Sequence, residues 1–260
     1  MVDGSWYLPG SGRNAFAEYA EGHIPGAVFL DLDAISDGNT PLPHMLPPAA
    51  DFAAHMSGLG LDDGDDIVVY DGSGTNLSAA RVWWTFRVFG HGRVALLDGG
   101  IRKWRSEGKP VESGIVSVPS GTFSARLDEN AVRDLASMRA NLKQKTEQVV
   151  DLRPAGRFRG VDPEPRPGIR SGHLPGSINL PFTDLVNPDG TILPLPVLRR
   201  RLEAAGIDLS QPIVASCGSG TTACTLVLSL ELLGHAGAAV YDGSWTEWGG
   251  RPDTPVEVEP

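Results

Sequence analysis

A chain that returns to its own motifs at long range is built from copies of one unit, and this chain does so at four places. Gly22-His23-Ile24-Pro25-Gly26-Ala27 reappears as Gly172-His173-Leu174-Pro175-Gly176-Ser177, 150 residues later. Ile67 to Gly74 reappears as Ile213 to Gly220, Phe89-Gly90-His91 as Leu233-Gly234-His235, and Asp98-Gly99-Gly100 with Trp104 as Asp242-Gly243-Ser244 with Trp248, at offsets of 146, 144 and 144. Collinear matches with slowly drifting offsets exclude a short-period solenoid and predict two tandem domains, residues 1–108 and 130–260. The Pro-, Gly- and Ser-rich stretch 109–129 is the expected linker, with Thr122 to Arg126 an added strand within it. A helical pattern over Asn130 to Lys145 precedes the second copy's opening strand and has no counterpart in the first. The first copy is therefore expected to be short by about a helix and part of a strand, as a truncated start or a smaller domain would leave it.

Each copy reads as an α/β unit. Val149 to Asp151, Ser177 to Leu180, Ile213 to Ser216 and Ala238 to Tyr241 are short apolar runs suited to strands buried on both faces. Helical patterns cover Pro196 to Ala205 and Thr221 to Leu233, with Asn76 to Phe89 and Ile101 to Ser106 in the corresponding places of the first copy. This alternation predicts a mostly parallel sheet with helices on both faces. Trp83, Trp84, Trp104, Trp245 and Trp248 lie at helical spacings and read as core.

Composition removes whole classes of function. The chain holds 32 Gly and 21 Pro in 260 residues, too many for a helical bundle or coiled coil. A net charge of −10 argues against nucleic-acid or anionic-membrane partners. Two cysteines, Cys217 and Cys224, make neither a disulfide framework nor a four-ligand zinc site, and nothing calls for a metal or organic cofactor. Met1 to Gly12 carries no targeting signal, and no stretch approaches the ~18 apolar residues of a membrane span, so a cytoplasmic location is expected.

Cys217 ends an apolar strand and is followed by Gly218-Ser219-Gly220-Thr221-Thr222 and then a helix. Such a loop can curl successive backbone N–H groups around one point, an anion-binding nest. A cysteine at its mouth has its thiolate favoured and becomes a nucleophile at neutral pH. A lone cysteine in an apolar run is otherwise a small buried hydrophobe, the reading that suits Cys224. The first copy has Asp71 where the second has Cys217, so its loop is expected to be catalytically dead. Five arginines (Arg153, Arg157, Arg159, Arg166 and Arg170) stand between residues 153 and 170 against only Asp162 and Glu164. They suit bidentate binding of a small anion, or equally a solvated loop with surface ion pairs. His173 reads as a structural turn residue; His23 does so too unless the first domain packs over the active loop of the second.

These residues resemble the tandem-domain rhodanese sulfurtransferases, and among them the 3-mercaptopyruvate sulfurtransferases. The resemblance spans nearly the whole chain: Asp3-Gly4-Ser5-Trp6-Tyr7-Leu8-Pro9, the His-x-Pro-Gly turns, His44-Met45-Leu46-Pro47, Arg81-Val82-Trp83-Trp84, Gly156 to Gly160, Pro163-Glu164-Pro165-Arg166, Cys217 to Gly220 and Tyr241 to Trp245. It implies two rhodanese-like domains. It also implies Arg157 and Arg166 on the carboxylate and carbonyl of the substrate, with Gly218, Gly220, Thr221 and Thr222 completing the loop, and His23 and Ser219 assisting proton movement. Small Gly218-Ser219 after the cysteine falls on the mercaptopyruvate side of the family, where thiosulfate-preferring members tend to carry Arg and Lys. Thr221 departs from the family's frequent valine, and an acidic partner for His23 has no clear counterpart, Asn14 occupying that stretch. The implied reaction passes sulfur from a small anionic donor through a Cys217 persulfide to a thiol, thioredoxin or cyanide, with thiosulfate as the alternative donor. A phosphatase or arsenate reductase is the remote alternative, since a Cys-x5-Arg loop needs arginine where Ala223 stands. A non-catalytic sulfur carrier would have lost the nucleophile in both copies.

Overall fold

A computed structural model describes residues 1–8, 10–235 and 237–259, so Pro9 of the opening motif lies outside the described residues. Two compact units form. Unit 1 comprises residues 1–39, 46–128 and 186–192; unit 2 comprises 40–45, 129–185 and 193–260.

Unit 1 runs β1 (Val2–Asp3), α1 (Ala15–Glu21), β2 (Val28–Phe29), α2 (Ala49–Gly58), β3 (Ile67–Tyr70), α3 (Ala79–Val88), β4 (Val94–Leu96) and α4 (Gly100–Ser106). Its parallel sheet has the order β2-β1-β3-β4. Unit 2 runs β5 (Val132–Arg133), α5 (Leu135–Gln144), β6 (Gln148–Asp151), α6 (Ala155–Arg159), β7 (Ile178–Asn179), α7 (Leu195–Ala204), β8 (Ile213–Ser216), α8 (Ala223–Leu232), β9 (Ala238–Tyr241) and α9 (Ser244–Gly250). Its parallel sheet has the order β5-β9-β8-β6-β7. The extra edge strand β5 and helix α5 come from the stretch without a counterpart in the first repeat.

Burial explains the sequence pattern. All four residues of β8 are buried, and α8 is buried from Ala223 to Leu230, so neither can show the alternation of a half-exposed element. Trp245 and Trp248 join Met138, Leu174, Val214 and Tyr241 in the unit 2 core. Phe52 stacks on Phe89 at 4.5 Å and meets Phe86 and Phe123 edge-on in unit 1. Trp83 and Trp84 are buried as expected, and Trp104 is half-buried beside the Ile24 and Tyr70 cluster.

The stretch 109–128 is not a free linker. His23 and Glu112 exchange backbone hydrogen bonds, Gly114 N–H donates to Ala20 O, Gly121 N–H to Ser57 O and Arg126 N–H to Phe89 O, which stitches the segment along unit 1. Thr122 to Arg126 forms no strand. Its backbone is held by Asp62 and Asp63 side chains rather than by a ladder. Among the described residues no helix is long and apolar enough to cross a membrane.

The topology sets where chemistry can happen. In unit 2 the chain leaves β6 toward β7 and leaves β8 toward β9, in opposite directions, which opens a crevice at the carboxyl ends of β6 and β8. Unit 1 repeats this between β1 and β3.

Candidate active site

Cys217 is the first residue after β8, and Asp151 to Arg153 follow β6, so both lie at the crevice of unit 2. The Cys217 side chain sits almost wholly below the surface. Helix α9 holds its backbone from behind: Ser244 Oγ accepts from Cys217 N–H at 3.1 Å, Trp245 N–H donates to Cys217 O at 2.9 Å, and Thr246 donates to Gly218 O through both its N–H and its hydroxyl. These bonds fix the backbone of Cys217 and Gly218 against α9. Gly220 takes φ +75°, a left-handed turn natural for glycine. Cys224, as expected, is buried, and its thiol donates to Gly220 O at 3.3 Å, bracing the loop from beneath.

The arginine segment divides into separate roles. Arg153 is 1 % exposed; its guanidinium grips Asp151 with both Nε and Nη2, reaches Glu164 at 2.7 Å and lies 4.3 Å over the Trp245 ring. Arg170 is spent on carbonyls of Trp248, Gly249, Arg251 and Thr254 and ties down the chain after α9. Arg159 is exposed, and Arg166 is half-buried on the proline-rich stretch. Arg157, on α6, pairs with the buried carboxylate of Glu164. Its Nη2 lies 3.3 Å from where a Cβ on Gly218 would stand. Glycine after Cys217 thus leaves room for this guanidinium at the loop. Glu164 bridges Arg153 and Arg157, fixing the half-exposed cation through the buried one.

The histidine beside the loop is His44, and the relay expected of His23 is corrected accordingly. Within unit 2, His44 Nδ1 lies 3.0 Å from Ser219 Oγ and 3.1 Å from Thr221 Oγ1. His44 takes φ +61°, an uncommon backbone for a non-glycine residue and one of the kind held in place at functional sites. Thr221, where the resembled family often has valine, is a second hydroxyl on the same ring nitrogen. Thr222 precedes α8 and makes no side-chain cap. His23 is fully buried: its Nδ1–H donates to Tyr19 O at 2.9 Å, its Nε2 lies 3.2 Å from Glu112, and its ring stacks on Tyr19. His173 repeats this in unit 2, with Nδ1–H on Phe158 O and the ring stacked on Phe158. The His-x-Pro-Gly repeat is therefore a structural device in both copies. His44 sits in the quoted His44-Met45-Leu46-Pro47 motif, but only the packing of residues 40–45 in unit 2 gives it a role.

In unit 1 the carboxylate of Asp71 folds back into its own loop. Oδ1 accepts from Ser73, and Oδ2 accepts the N–H groups of Ser78 and Ala79, so the nest is filled by the residue that replaced the cysteine. Among the described residues no cluster of three or more His, Cys, Asp or Glu side chains could hold a metal ion.

The rhodanese-like domain model matches residues 13–107 and 134–251. The chain is 46% identical over 278 residues to thiosulfate/3-mercaptopyruvate sulfurtransferase 1, mitochondrial, of Arabidopsis thaliana, covering 99% of this chain and 73% of that protein. It is 47% identical over 249 residues to 3-mercaptopyruvate sulfurtransferase of Rattus norvegicus, covering 95% and 84%. The solved structure of SseA from Escherichia coli, described as a 3-mercaptopyruvate sulfotransferase, superposes with a TM-score of 0.86 at 39% identity, covering 94% of this chain and 91% of that one. With the family model on both repeats and these relatives along nearly the full length, the chain belongs to the rhodanese-like family and carries two copies of its domain.

Proposed function

We propose that this chain is a sulfurtransferase that takes sulfur from 3-mercaptopyruvate onto Cys217 and passes it to a thiophilic acceptor. The observation that carries this reading is the Arg157 guanidinium lying against Gly218, directly after the nucleophile, in a loop with no cationic side chain of its own. A substrate carrying a carboxylate and a carbonyl beside its sulfur needs one guanidinium held at the loop and a small residue that admits it. The relatives' names point to the same two donors, mercaptopyruvate and thiosulfate.

Arg157 and Arg166 hold the donor's carboxylate and carbonyl, and the Cys217 thiolate attacks its sulfur. The new S–S bond forms as the C–S bond breaks, and the electron pair departs on carbon as the enolate of pyruvate. Loop N–H groups stabilise the negative charge on sulfur. The proton from the donor's thiol has to reach the enolate carbon, and the hydroxyls of Ser219 and Thr221 on His44 Nδ1 offer a relay beside the loop. The Cys217 persulfide then gives its outer sulfur to a thiol, thioredoxin or cyanide, restoring the thiolate in a ping-pong cycle.

A donor comparison tests this reading. Initial rates at varied donor, with cyanide as acceptor, are expected to give a kcat/KM for 3-mercaptopyruvate at least about tenfold above that for thiosulfate. The reverse order would assign the chain to the thiosulfate reading. The relay predicts a second result. His44→Asn lowers kcat with mercaptopyruvate by about a hundredfold and flattens its pH profile, while alkylation of Cys217 by iodoacetamide stays fast. Full activity in His44→Asn removes the histidine from the mechanism.

A further inference from the structure

The dead crevice of unit 1 has not simply lost its site; its charges have been rearranged. Equivalent positions follow from the repeat. Asp71 stands for Cys217, and Ser5, two residues past Asp3, stands for Arg153. Tyr19 and Phe158 hold the same place under their histidines, so Glu18 stands for Arg157. Cys217 and Arg157 are therefore matched by acidic residues in unit 1, and Arg153 by a neutral one. In exchange, unit 1 carries arginines where unit 2 has none: Arg102 stands for Thr246 and Arg105 for Gly249 on the helix after the last strand, and Arg13 joins them ahead of α1.

These three arginines line one hollow. They line a cavity of about 50 Å³ with Ser5, Tyr7 and Gly72, at the carboxyl ends of β1 and β3 where the topology opens its crevice; Asp3 and Glu18 also face it. Arg13 is held by Glu18, by the Tyr7 hydroxyl at 2.7 Å and by Gly72 O at 3.1 Å, and its Nη1 has no acceptor among the described residues. Arg105 donates one Nη2 bond to Gly22 O, and its Nε and Nη1 are unengaged among the described residues. Arg102 makes no hydrogen bond and no ion pair among the described residues. It is laid over Gly74, where any Cβ would collide with it. Gly72 likewise leaves the floor open, since a Cβ there would strike the Tyr7 hydroxyl. Unengaged donors from three arginines around a small hollow, in a chain of net charge −10, are an arrangement that an anion completes.

We infer that unit 1 binds a compact oxyanion of about the size of sulfate, held chiefly by Arg102 with Arg105 and Arg13 at its rim. The anion nest beside it is closed by the Asp71 carboxylate, so the ligand is gripped by side chains rather than by the loop. The hollow matches one compact anionic group, which points to inorganic oxyanions such as sulfate, sulfite and phosphate, or a single carboxylate group.

Isothermal titration of the full chain with sodium sulfate at constant ionic strength tests this, with acetate as the carboxylate probe. Binding is expected with a Kd on the order of millimolar. Arg102→Ala weakens it by about tenfold or more, and Arg102→Lys recovers only part, because the fork geometry is lost. Arg157→Ala is the control for anion binding near the nucleophile and leaves this event in place. An unchanged titration in Arg102→Ala, or a signal that disappears only in Arg157→Ala, overturns the assignment. Preference for acetate over sulfate keeps the site and reassigns its ligand to a carboxylate.

Discussion

Cys217→Ser lowers turnover with 3-mercaptopyruvate by at least about a thousandfold, while the thermal unfolding midpoint moves by no more than a few degrees. Sulfur transfer through the enzyme needs an atom that can attack sulfur and then carry a second sulfur; a serine oxygen does neither at neutral pH. The fold has no reason to change. The loop is fixed through the Cys217 backbone, whose N–H reaches Ser244 Oγ and whose carbonyl accepts from Trp245, and both survive the substitution. Mass spectrometry of protein mixed with mercaptopyruvate gives the positive half of the test: one added sulfur atom on the peptide containing Cys217 in the wild type and none in Cys217→Ser. Cys224→Ser keeps the addition and most of the rate, since its hydroxyl can make the bond to Gly220 O that the thiol makes. Turnover by Cys217→Ser, or sulfur found on Cys224, would end the mechanism.

The largest stability effect is expected away from the nucleophile. Arg153→Ala costs about 3–5 kcal/mol, read as a fall in the urea midpoint at constant slope. Removing the guanidinium leaves the fully buried Asp151 carboxyl without its cation, and it opens a void over the Trp245 ring. Glu164 loses one of its two cations and keeps Arg157. Because the same carboxylate aligns Arg157, KM for mercaptopyruvate rises as well. Arg153→Met combined with Asp151→Asn recovers part of the loss, since it removes both charges and refills the space. A loss below about 1 kcal/mol in Arg153→Ala would mean that the pair behaves as a surface ion pair, against its burial.

Arg153 also shows where the linear reading stopped. Counting charges between residues 153 and 170 set five arginines against two acids, one open cationic cluster. Folding spends them unequally: Arg153 is taken by Asp151 at the end of the preceding strand, and Arg170 by four backbone carbonyls. Arg157 is left at the loop because the residue beside it is glycine. Element positions were much easier to read. Ile213 to Ser216 and Ala238 to Tyr241 are strands over the expected residues, and α7, α8 and α3 lie within a few residues of their patterns, because burial on both faces writes itself as an uninterrupted apolar run. The stretch 109–128 misled because glycine, serine and proline mark irregular backbone without saying what that backbone is bonded to.

His44 and His23 mark the same boundary at the site. The repeated Gly-His-x-Pro-Gly motif drew attention to His23, yet repetition is what a structural role produces, and the structure uses it that way twice. His44 has no repeat partner and no local chemistry to announce it; it reaches Ser219 only because residues 40–45 pack in unit 2.

The amino-acid sequence by itself determined the two-copy α/β architecture, and the cysteine after the strand in one copy with aspartate in its place in the other. Those depend on local order, on apolar runs, on the turn residues that must follow a strand, and on which side chain stands at the turn. Tertiary structure alone decided which arginine lies at the loop, which histidine lies beside it, and that the copy with Asp71 lines a hollow with arginines of its own. Those depend on contacts between residues up to 177 positions apart, such as Thr221 with His44, whose pairing is settled by packing and burial.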